Sequence, residues 1–300
     1  MKPLSIYIHI PFCEKKCSFC YYLSRANGNH SEYIAEICKD ISQSKDKAKH
    51  HTVGTVYFGG GTPNFLDPRY IGTVLDTMRK TFTVSEDAQI TVECNPKHVT
   101  DEQMQAYRSA GVNRISIGVQ SFSDKTLEVL ERRHTVEQSE NAIKIARKYI
   151  DDVGIDLMYS IADSQGIVCE TVLPHEIMNK LTHINVYRLQ SSNFKQVDDS
   201  ASELERLRLE QELIKLGFHK YETCGFCKPG YESRHGQNYW SLGEWLGFGD
   251  GAHSHFGGNG FINQRNERGE LVAQKFLKKP EELFKRHEKT PFLEFCSDRG

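Results

Sequence analysis

The chain has 300 residues, with 38 Lys and Arg against 40 Asp and Glu and a formal net charge of −2. That length allows one large domain or two ordinary ones of about 100–200 residues each, with a substantial core that needs no disulfide staples. The balanced charge gives no electrostatic reason to expect nucleic acid or an anionic surface as partner, and no apolar run approaches the roughly 20 residues of a membrane span. The opening MKPLSIYIHIPFC carries one Lys, then an apolar–polar alternation that stops at Pro11, with no small-residue cleavage site. It reads as structure rather than a secretory leader, so a cytoplasmic location is the expectation.

Strand-like runs rich in Ile, Val and Tyr alternate with helical patterns along the chain. Ser5–Ile10 is the first strand, followed by a helix at about 31–46 and a strand Thr55–Phe58. A helix at about 68–82, a strand Gln89–Glu93 and a helix at 101–110 come next. Thr100 before Asp101-Glu102-Gln103 is a capping-box pattern, and Gly111 supplies the stop. Strand Arg114–Val119, helices at about 124–132 and 135–150, and strand Gly154–Tyr159 follow. A helix at about 168–181, a strand Ile184–Leu189 and a helix at about 201–216 end the regular part; the last carries Leu204, Leu207, Leu209, Leu213 and Ile214 on a half-buried face. Six strand–helix repeats predict an α/β fold with one parallel sheet, either a doubly wound sheet or a partial (β/α)6-type TIM barrel. In both, function gathers at the C-terminal ends of the strands.

After residue 216 the pattern changes. Aromatic, Gly and His residues crowd Phe218–Phe261, which reads as loops and short strands closing one side of the barrel. From about 264 the chain is charged and polar and predicts a helix and tail. The expected division is a core over 1–216 and an extension over 217–300.

Nine cysteines, an odd number in a long chain, favour metal ligation or catalysis over a disulfide framework. Cys13, Cys17 and Cys20 fall within eight residues just after the first strand. Zinc in a structural site wants four protein ligands, and the nearest candidate for a fourth is His9, which otherwise reads as a core histidine. Three thiolates suit a [4Fe–4S] cubane whose fourth iron stays open to a ligand. Gly59-Gly60-Gly61-Thr62-Pro63 follows the second strand as a turn or a ligand loop; it matches neither a dinucleotide fingerprint nor a phosphate loop. Cys224-x-x-Cys227 reads either as two buried free thiols or as a metal or redox pair. Cys38, Cys94, Cys169 and Cys296 read as small buried hydrophobes.

The cysteine loop, preceded by Tyr7-Ile-His-Ile-Pro-Phe and followed by GGGTP, resembles the radical S-adenosylmethionine (SAM) superfamily. Glu93-x-Asn95-Pro96, Gly111 to Phe122, Leu130-x-Arg132-Arg133-His134 and Ile155 to Tyr159 match in order. They point to the branch of oxygen-independent coproporphyrinogen dehydrogenases and haem chaperones, over residues 5–265. The resemblance implies that Cys13, Cys17 and Cys20 ligate a [4Fe–4S] cluster. It implies that Tyr7, Gly60 and Glu93 contact SAM, and that Phe19, Gly61, Thr62, Gln120, Arg132 and Asp156 hold the same SAM or a second one. A reduced flavodoxin- or ferredoxin-type protein would supply the electron that cleaves SAM to methionine and a 5′-deoxyadenosyl radical. The substrate would be a tetrapyrrole or another small molecule, and haem is a further candidate ligand.

Tyr21-Tyr22 after the third cysteine departs from the dehydrogenase pattern. The segments Tyr221 to Trp240 and Gly247 to Ser254 resemble the haem-chaperone pattern instead, with His235 and His253 as iron ligands, pocket formers or structural histidines. Thr223 to Cys227 and Ser160-Ile161-Ala162 depart from both, and little of the branch's C-terminal helical domain is expected here. Four readings therefore stand: a tetrapyrrole-acting radical SAM protein, a methyltransferase or cyclopropanase of the same branch, a non-catalytic haem carrier, and a zinc-bearing structural protein.

Overall fold

The computed structural model describes residues 1–265 and 271–275. The strands are β1 (Lys2–Ile10), β2 (His51–Gly60), β3 (Thr83–Cys94), β4 (Arg114–Gln120), β5 (Asp152–Tyr159), β6 (Ile161–Ala162), β7 (Val168–Cys169) and β8 (His183–Arg188). The last six are β9 (His219–Lys220), β10 (Gly225–Cys227), β11 (Trp245–Phe248), β12 (His253–Phe256), β13 (Asn259–Arg265) and β14 (Leu271–Lys275). The helices are α1 (His30–Gln43), α2 (Arg69–Thr81), α3 (Asp101–Ala110), α4 (Asp124–Val129), α5 (Val136–Tyr149), α6 (His175–Met178), α7 (Asp199–Lys215) and α8 (Arg234–Trp240). All six predicted strands are present, and most reach further than their apolar cores.

Twelve strands form one open sheet in the order β14-β13-β12-β11-β1-β2-β3-β4-β5-β8-β10-β9. β11, β1 to β5 and β8 are mutually parallel, with the helices as crossovers, so the architecture is a partial (β/α) barrel. Side-chain parity makes it work as a container. Ile6, Ile8, Ile10, Ile90, Val92, Ile115, Ile117, Val153, Ile155 and Ile184 turn outward and are buried under the helices. The alternate residues, such as Tyr7, Tyr57, Thr91, Glu93, Arg114, Ser116, Asn185 and Tyr187, line an interior cavity. A filled TIM barrel packs branched apolar side chains there; this one lines the space with polar groups. The helices close the outer face through stripes at three- and four-residue spacing, Ile34-Ile37-Ile41 on α1 and Ile71-Val74-Leu75-Met78 on α2.

α3 spans 101–110 as predicted, with Thr100 accepting from the Gln103 N–H and Gly111 left-handed at φ 95°. Only half of the capping box forms, because the Gln103 amide turns away to Asn64, donating to its carbonyl at 2.9 Å. The reciprocal box appears instead at Thr135 and Gln138, opening α5.

Four expectations are corrected. The predicted helix at 168–181 is mostly absent: Val168–Cys169 pairs with Ile161–Ala162 in a small hairpin, and only His175–Met178 is helical. Pro174 explains this, since it lacks an N–H and pushes Leu173 toward extended backbone. Residues after 216 do not close one side; β9 and β10 extend the β8 edge while β11 to β14 extend the β1 edge. The start of the predicted C-terminal helix and tail is the strand pair β13–β14, and the rest of that expectation lies outside the described residues. On α7, Leu209 and Leu213 are buried but Leu204, Leu207 and Ile214 are exposed.

One interior charge pair is tight. Arg114 Nη1 donates to Asp152 Oδ2 at 2.6 Å with both side chains largely buried, and Thr182 Oγ1 donates to Asp152 Oδ1 at 2.7 Å. Arg114→Leu leaves a buried carboxylate without its cation and is expected to destabilise the chain by about 3–5 kcal/mol. Urea unfolding at unchanged m reads this directly; a loss below about 1 kcal/mol would show that water already solvates Asp152.

Candidate functional site

β1 delivers the chain to the top of the sheet at Ile10, and the cysteine loop starts from a closed base. Arg25 N–H donates to the Pro11 carbonyl at 2.7 Å and Cys13 N–H to the Arg25 carbonyl at 3.1 Å. Below it Phe12 is fully buried, edge-on to Tyr33, with the Arg25 guanidinium 5.2 Å from its ring centre. His9 is spent on the same scaffold. Its Nε2 faces the Leu23 carbonyl at 2.8 Å, which makes Nε2 the donor and leaves Nδ1 to accept from Tyr7 OH at 3.1 Å. Burial pushes its pKa down. It is a satisfied core histidine and not a fourth ligand.

The glycine loop is fastened onto this base. Gly61 N–H donates to the Ile10 carbonyl at 2.7 Å and Thr62 N–H to the Phe12 carbonyl at 2.8 Å. A Cβ on Gly61 would lie 2.7 Å from that Ile10 oxygen, and one on Gly60, at φ +105°, would lie 2.5 Å from the His9 ring. Gly61 is thus required by the close approach of two main chains, and Gly60 by its left-handed backbone and the His9 ring packed against it. Thr62 Oγ1 then sits 3.2 Å from Cys13 Sγ. Asn64 continues the seam, accepting from Asn95 N–H at 2.8 Å and donating to the Asn95 carbonyl at 3.1 Å. GGGTPN and ENP, separate in sequence, are one braced surface.

Cys13, Cys17 and Cys20 line one cavity of about 200 Å³ above the strand ends. A single zinc ion, with bonds of about 2.3 Å, would draw three sulfurs to roughly 3.8 Å of one another. Among the described residues, one group of three such ligands has all its ligand atoms within 4.8 Å, and these cysteines are not in it. Wider-set thiols around a cavity fit a cluster with iron at separate corners. Arg132 borders them: its Nη1 donates to Cys17 Sγ at 3.3 Å and its Nη2 to the Gly118 carbonyl at 3.0 Å, while the buried Nε–H has no partner among the described residues. Burial raises the Cys13 thiol, and raises that of Cys20 to about 11.

Two carboxyl groups line the cavity, Asp156 close enough for its charge to act on Glu93. Glu93 accepts from Tyr57 OH at 2.7 Å; burial, then the Asp156 charge, raises its pKa to about 7. Asp156 accepts from Asn185 Nδ2 at 2.7 Å and is also raised by burial. Gln120 ends β4 in a left-handed conformation, φ 67°, which turns the chain at the cavity wall. Phe19 lines the same cavity and packs on a small apolar cluster of Leu130, Met158, Ile161, Cys169 and Leu189.

The sequence candidates Cys13, Cys17, Phe19, Cys20, Gly60, Gly61, Thr62, Glu93, Gln120, Arg132 and Asp156 therefore line one cavity. Tyr7 does not; it borders a second cavity of about 740 Å³ inside the barrel, whose wall Glu93 shares. Tyr187 lines the small cavity, and Tyr57, Ser116 and Asn185 hydrogen-bond its two carboxyl groups from the larger one; the sequence analysis singled out none of these four. Their signal is strand parity, since they share the inward phase of Glu93 and Asp156.

The larger cavity is within the roughly 300–1,000 Å³ of ligand pockets. The extension forms part of its wall, and Arg25 Nη1 pairs with the buried Asp250 at 3.1 Å to join the cysteine loop to it. His235 and His253 both line it. His235 is committed: Nδ1 is 2.7 Å from Thr55 Oγ1, Nε2 is 2.7 Å from Tyr239 OH, and burial lowers its pKa to about 3. It is a structural histidine in this conformation. Cys224 and Cys227 are both buried free thiols, but Cys224 lines the cavity while Cys227 sits beside His219 and Glu232.

Comparison with known proteins gives the family. The model of the radical SAM superfamily matches residues 7–163. The haem chaperone HemW of Escherichia coli is 36% identical over 265 residues, which are 84% of this chain and 70% of HemW. The mitochondrial radical S-adenosyl methionine domain-containing protein 1 of Danio rerio is 32% identical over 84% of this chain and 60% of its own length. Among solved structures, coproporphyrinogen III oxidase HemN from Escherichia coli matches with a TM-score of 0.76 at 20% identity, over 96% of this chain and 74% of that one. The chain belongs to the radical SAM superfamily, in the branch that holds HemW and HemN.

Proposed function

We propose that the chain binds a [4Fe–4S] cluster on Cys13, Cys17 and Cys20 and one SAM molecule in the adjoining cavity, and that it acts on or carries a tetrapyrrole held in the larger one. The observation that carries the reading is a buried carboxylate pair, Glu93 and Asp156, on the floor of a cavity rimmed by three thiols. Buried carboxylates need a cation or hydrogen-bond donors, and SAM brings an ammonium and a sulfonium. In this arrangement Glu93 holds the SAM amino group, and the unpartnered Arg132 Nε–H takes the SAM carboxylate. Gly60 and Gly61 let the ligand lie against main chain, and Phe19 shields it from water. A cluster on the three thiols supplies the electron that cleaves SAM to methionine and a 5′-deoxyadenosyl radical. Two SAM molecules remain the alternative occupancy for Gln120, Asp156 and the rest of that wall.

The tetrapyrrole assignment rests on the cavity of about 740 Å³ beside Glu93 and on the relatives named as haem chaperones. That naming also favours a second reading, a haem carrier with little turnover. In either case the cavity and His253 hold the ring, because both His235 nitrogens are already bonded. A methyltransferase or cyclopropanase substrate would leave SAM cleavage indifferent to tetrapyrrole.

Anaerobically reconstituted chain given dithionite and SAM is expected to form 5′-deoxyadenosine, faster with coproporphyrinogen III or haem. Cys17→Ala should reduce it to the uncatalysed background, and normal cleavage in that variant would overturn the site. Stoichiometric haem binding without any rise in cleavage would select the carrier.

Glu93 makes a second prediction with a defined sign. Its carboxyl is raised from 4.5 to about 7 in the folded chain. The unfolded chain loses that proton first, so folding stability falls as pH climbs from about 4.5 through about 7. Glu93→Gln should stabilise the ligand-free chain by about 1–3 kcal/mol near pH 8 and leave it unchanged near pH 4. SAM affinity should drop at least about tenfold. Equal gains at both pH values in urea unfolding would mean that Glu93 carries no buried charge.

A further inference from the structure

The open sheet ends at β9–β10, and there a second ligand group sits apart from the cysteine loop. His219 and Cys227 are direct cross-strand partners in this hairpin, and Cys227 pairs in turn with His183, the first residue of β8. The group therefore lies at the end of the barrel where parallel strands begin, opposite the SAM site. Cys227 Sγ is 3.7 Å from His219 Nε2, and the same Nε2 is 3.1 Å from Glu232 Oε1. All three ligand atoms lie within 4.8 Å of one another. Tetrahedral zinc, with bonds of about 2.0–2.3 Å, spaces its ligand atoms roughly 3.3–3.8 Å apart. Two edges of the triangle are already close to that size. Sulfur, imidazole and carboxylate together select a borderline-soft divalent ion over magnesium or calcium. The thiol is buried, while the His219 and Glu232 side chains are 44% and 28% exposed, which gives entry from solvent and room for a water as fourth ligand. The neighbouring Arg114 charge does not oppose a cation, being paired with Asp152 at 2.6 Å.

We propose that His219, Cys227 and Glu232 form a zinc site that ties the edge hairpin to the segment entering α8. The tether has a defined consequence. Glu232 also accepts from Gln89 Nε2 through its carbonyl at 3.0 Å, and Ser233, next in the chain, caps α8. His235 and Tyr239 of α8 line the large cavity. Zinc at this edge sets the position of one cavity wall from outside the cavity.

The test separates this site from the cluster thiols. In the chain carrying Cys13→Ser, Cys17→Ser and Cys20→Ser, dialysis against zinc should leave one zinc per chain by elemental analysis. Adding Cys227→Ser or His219→Gln should reduce zinc to background, and adding Cys224→Ser should not. Cobalt in the same background should show a thiolate charge-transfer band and tetrahedral d–d bands that vanish with Cys227→Ser. In the cluster-loaded wild-type chain, zinc should raise the thermal midpoint and magnesium should not, and Cys227→Ser should erase that gain. No retained zinc, or zinc retained undiminished after Cys227→Ser, would overturn the proposal, as would a zinc-dependent shift that survives the substitution.

Discussion

Glu93 and Asp156 both lie in the barrel interior, and among the described residues no lysine or arginine is hydrogen-bonded to either. Desolvation raises both carboxyl groups, and the Asp156 charge raises Glu93 further. Tyr57, Asn185 and Ser116 supply hydrogen bonds, which satisfy lone pairs without neutralising charge. The arrangement is tolerable as a receptor for a cationic ligand and costly as pure structure. Much of the rest follows from keeping that floor in place: an outer face of Ile and Val under helices, an inner face of polar residues in register across parallel strands, and a loop of thiols above.

The second constraint is the main-chain joint at Ile10, Phe12, Gly61 and Thr62. Two glycines allow the joint, and the joint sets the distance from Thr62 to Cys13. Asn64 and Gln103 then carry it to the end of β3, where Glu93 stands next to Cys94 and Asn95. Thiols, glycine loop and carboxylate are therefore coupled through backbone hydrogen bonds at the joint and through the short amide side chains of Asn64 and Gln103 beyond it. Preorganisation of this kind suits a site whose reactive species must be kept from water. On the other side, Arg25 and Asp250 link the same loop to the extension, so the two cavities share a wall as well as Glu93.

Much of this was legible in the residues. The Ile-, Val- and Tyr-rich runs such as Ser5–Ile10 and Ile184–Leu189 marked strands, and Thr100 with Gly111 bounded α3 at both ends. The cysteine spacing located the loop. What stayed hidden depends on contacts distant in sequence. Gln103 abandons its capping role for Asn64, 39 residues away. His235 looks like a ligand until Thr55, 180 residues away, and Tyr239 occupy both of its nitrogens. Tyr7 shares a strand with the loop but faces the other cavity. Pro174 lies in the middle of the 168–181 pattern and rules out a continuous helix there. Edge strands of two or three residues, such as β9 and β10, have too few positions to show any period.

The most direct measurement is electron paramagnetic resonance of the dithionite-reduced, cluster-loaded chain, recorded without and with SAM. The account predicts that SAM changes the signal of the reduced cluster, because a SAM molecule held by Glu93 and Arg132 would lie against a cluster held by Cys13, Cys17 and Cys20. It also predicts that the change is weakened in Glu93→Gln. A signal of a reduced [4Fe–4S] cluster that SAM leaves unaltered at saturating concentration would contradict the assignment of the small cavity as the SAM site.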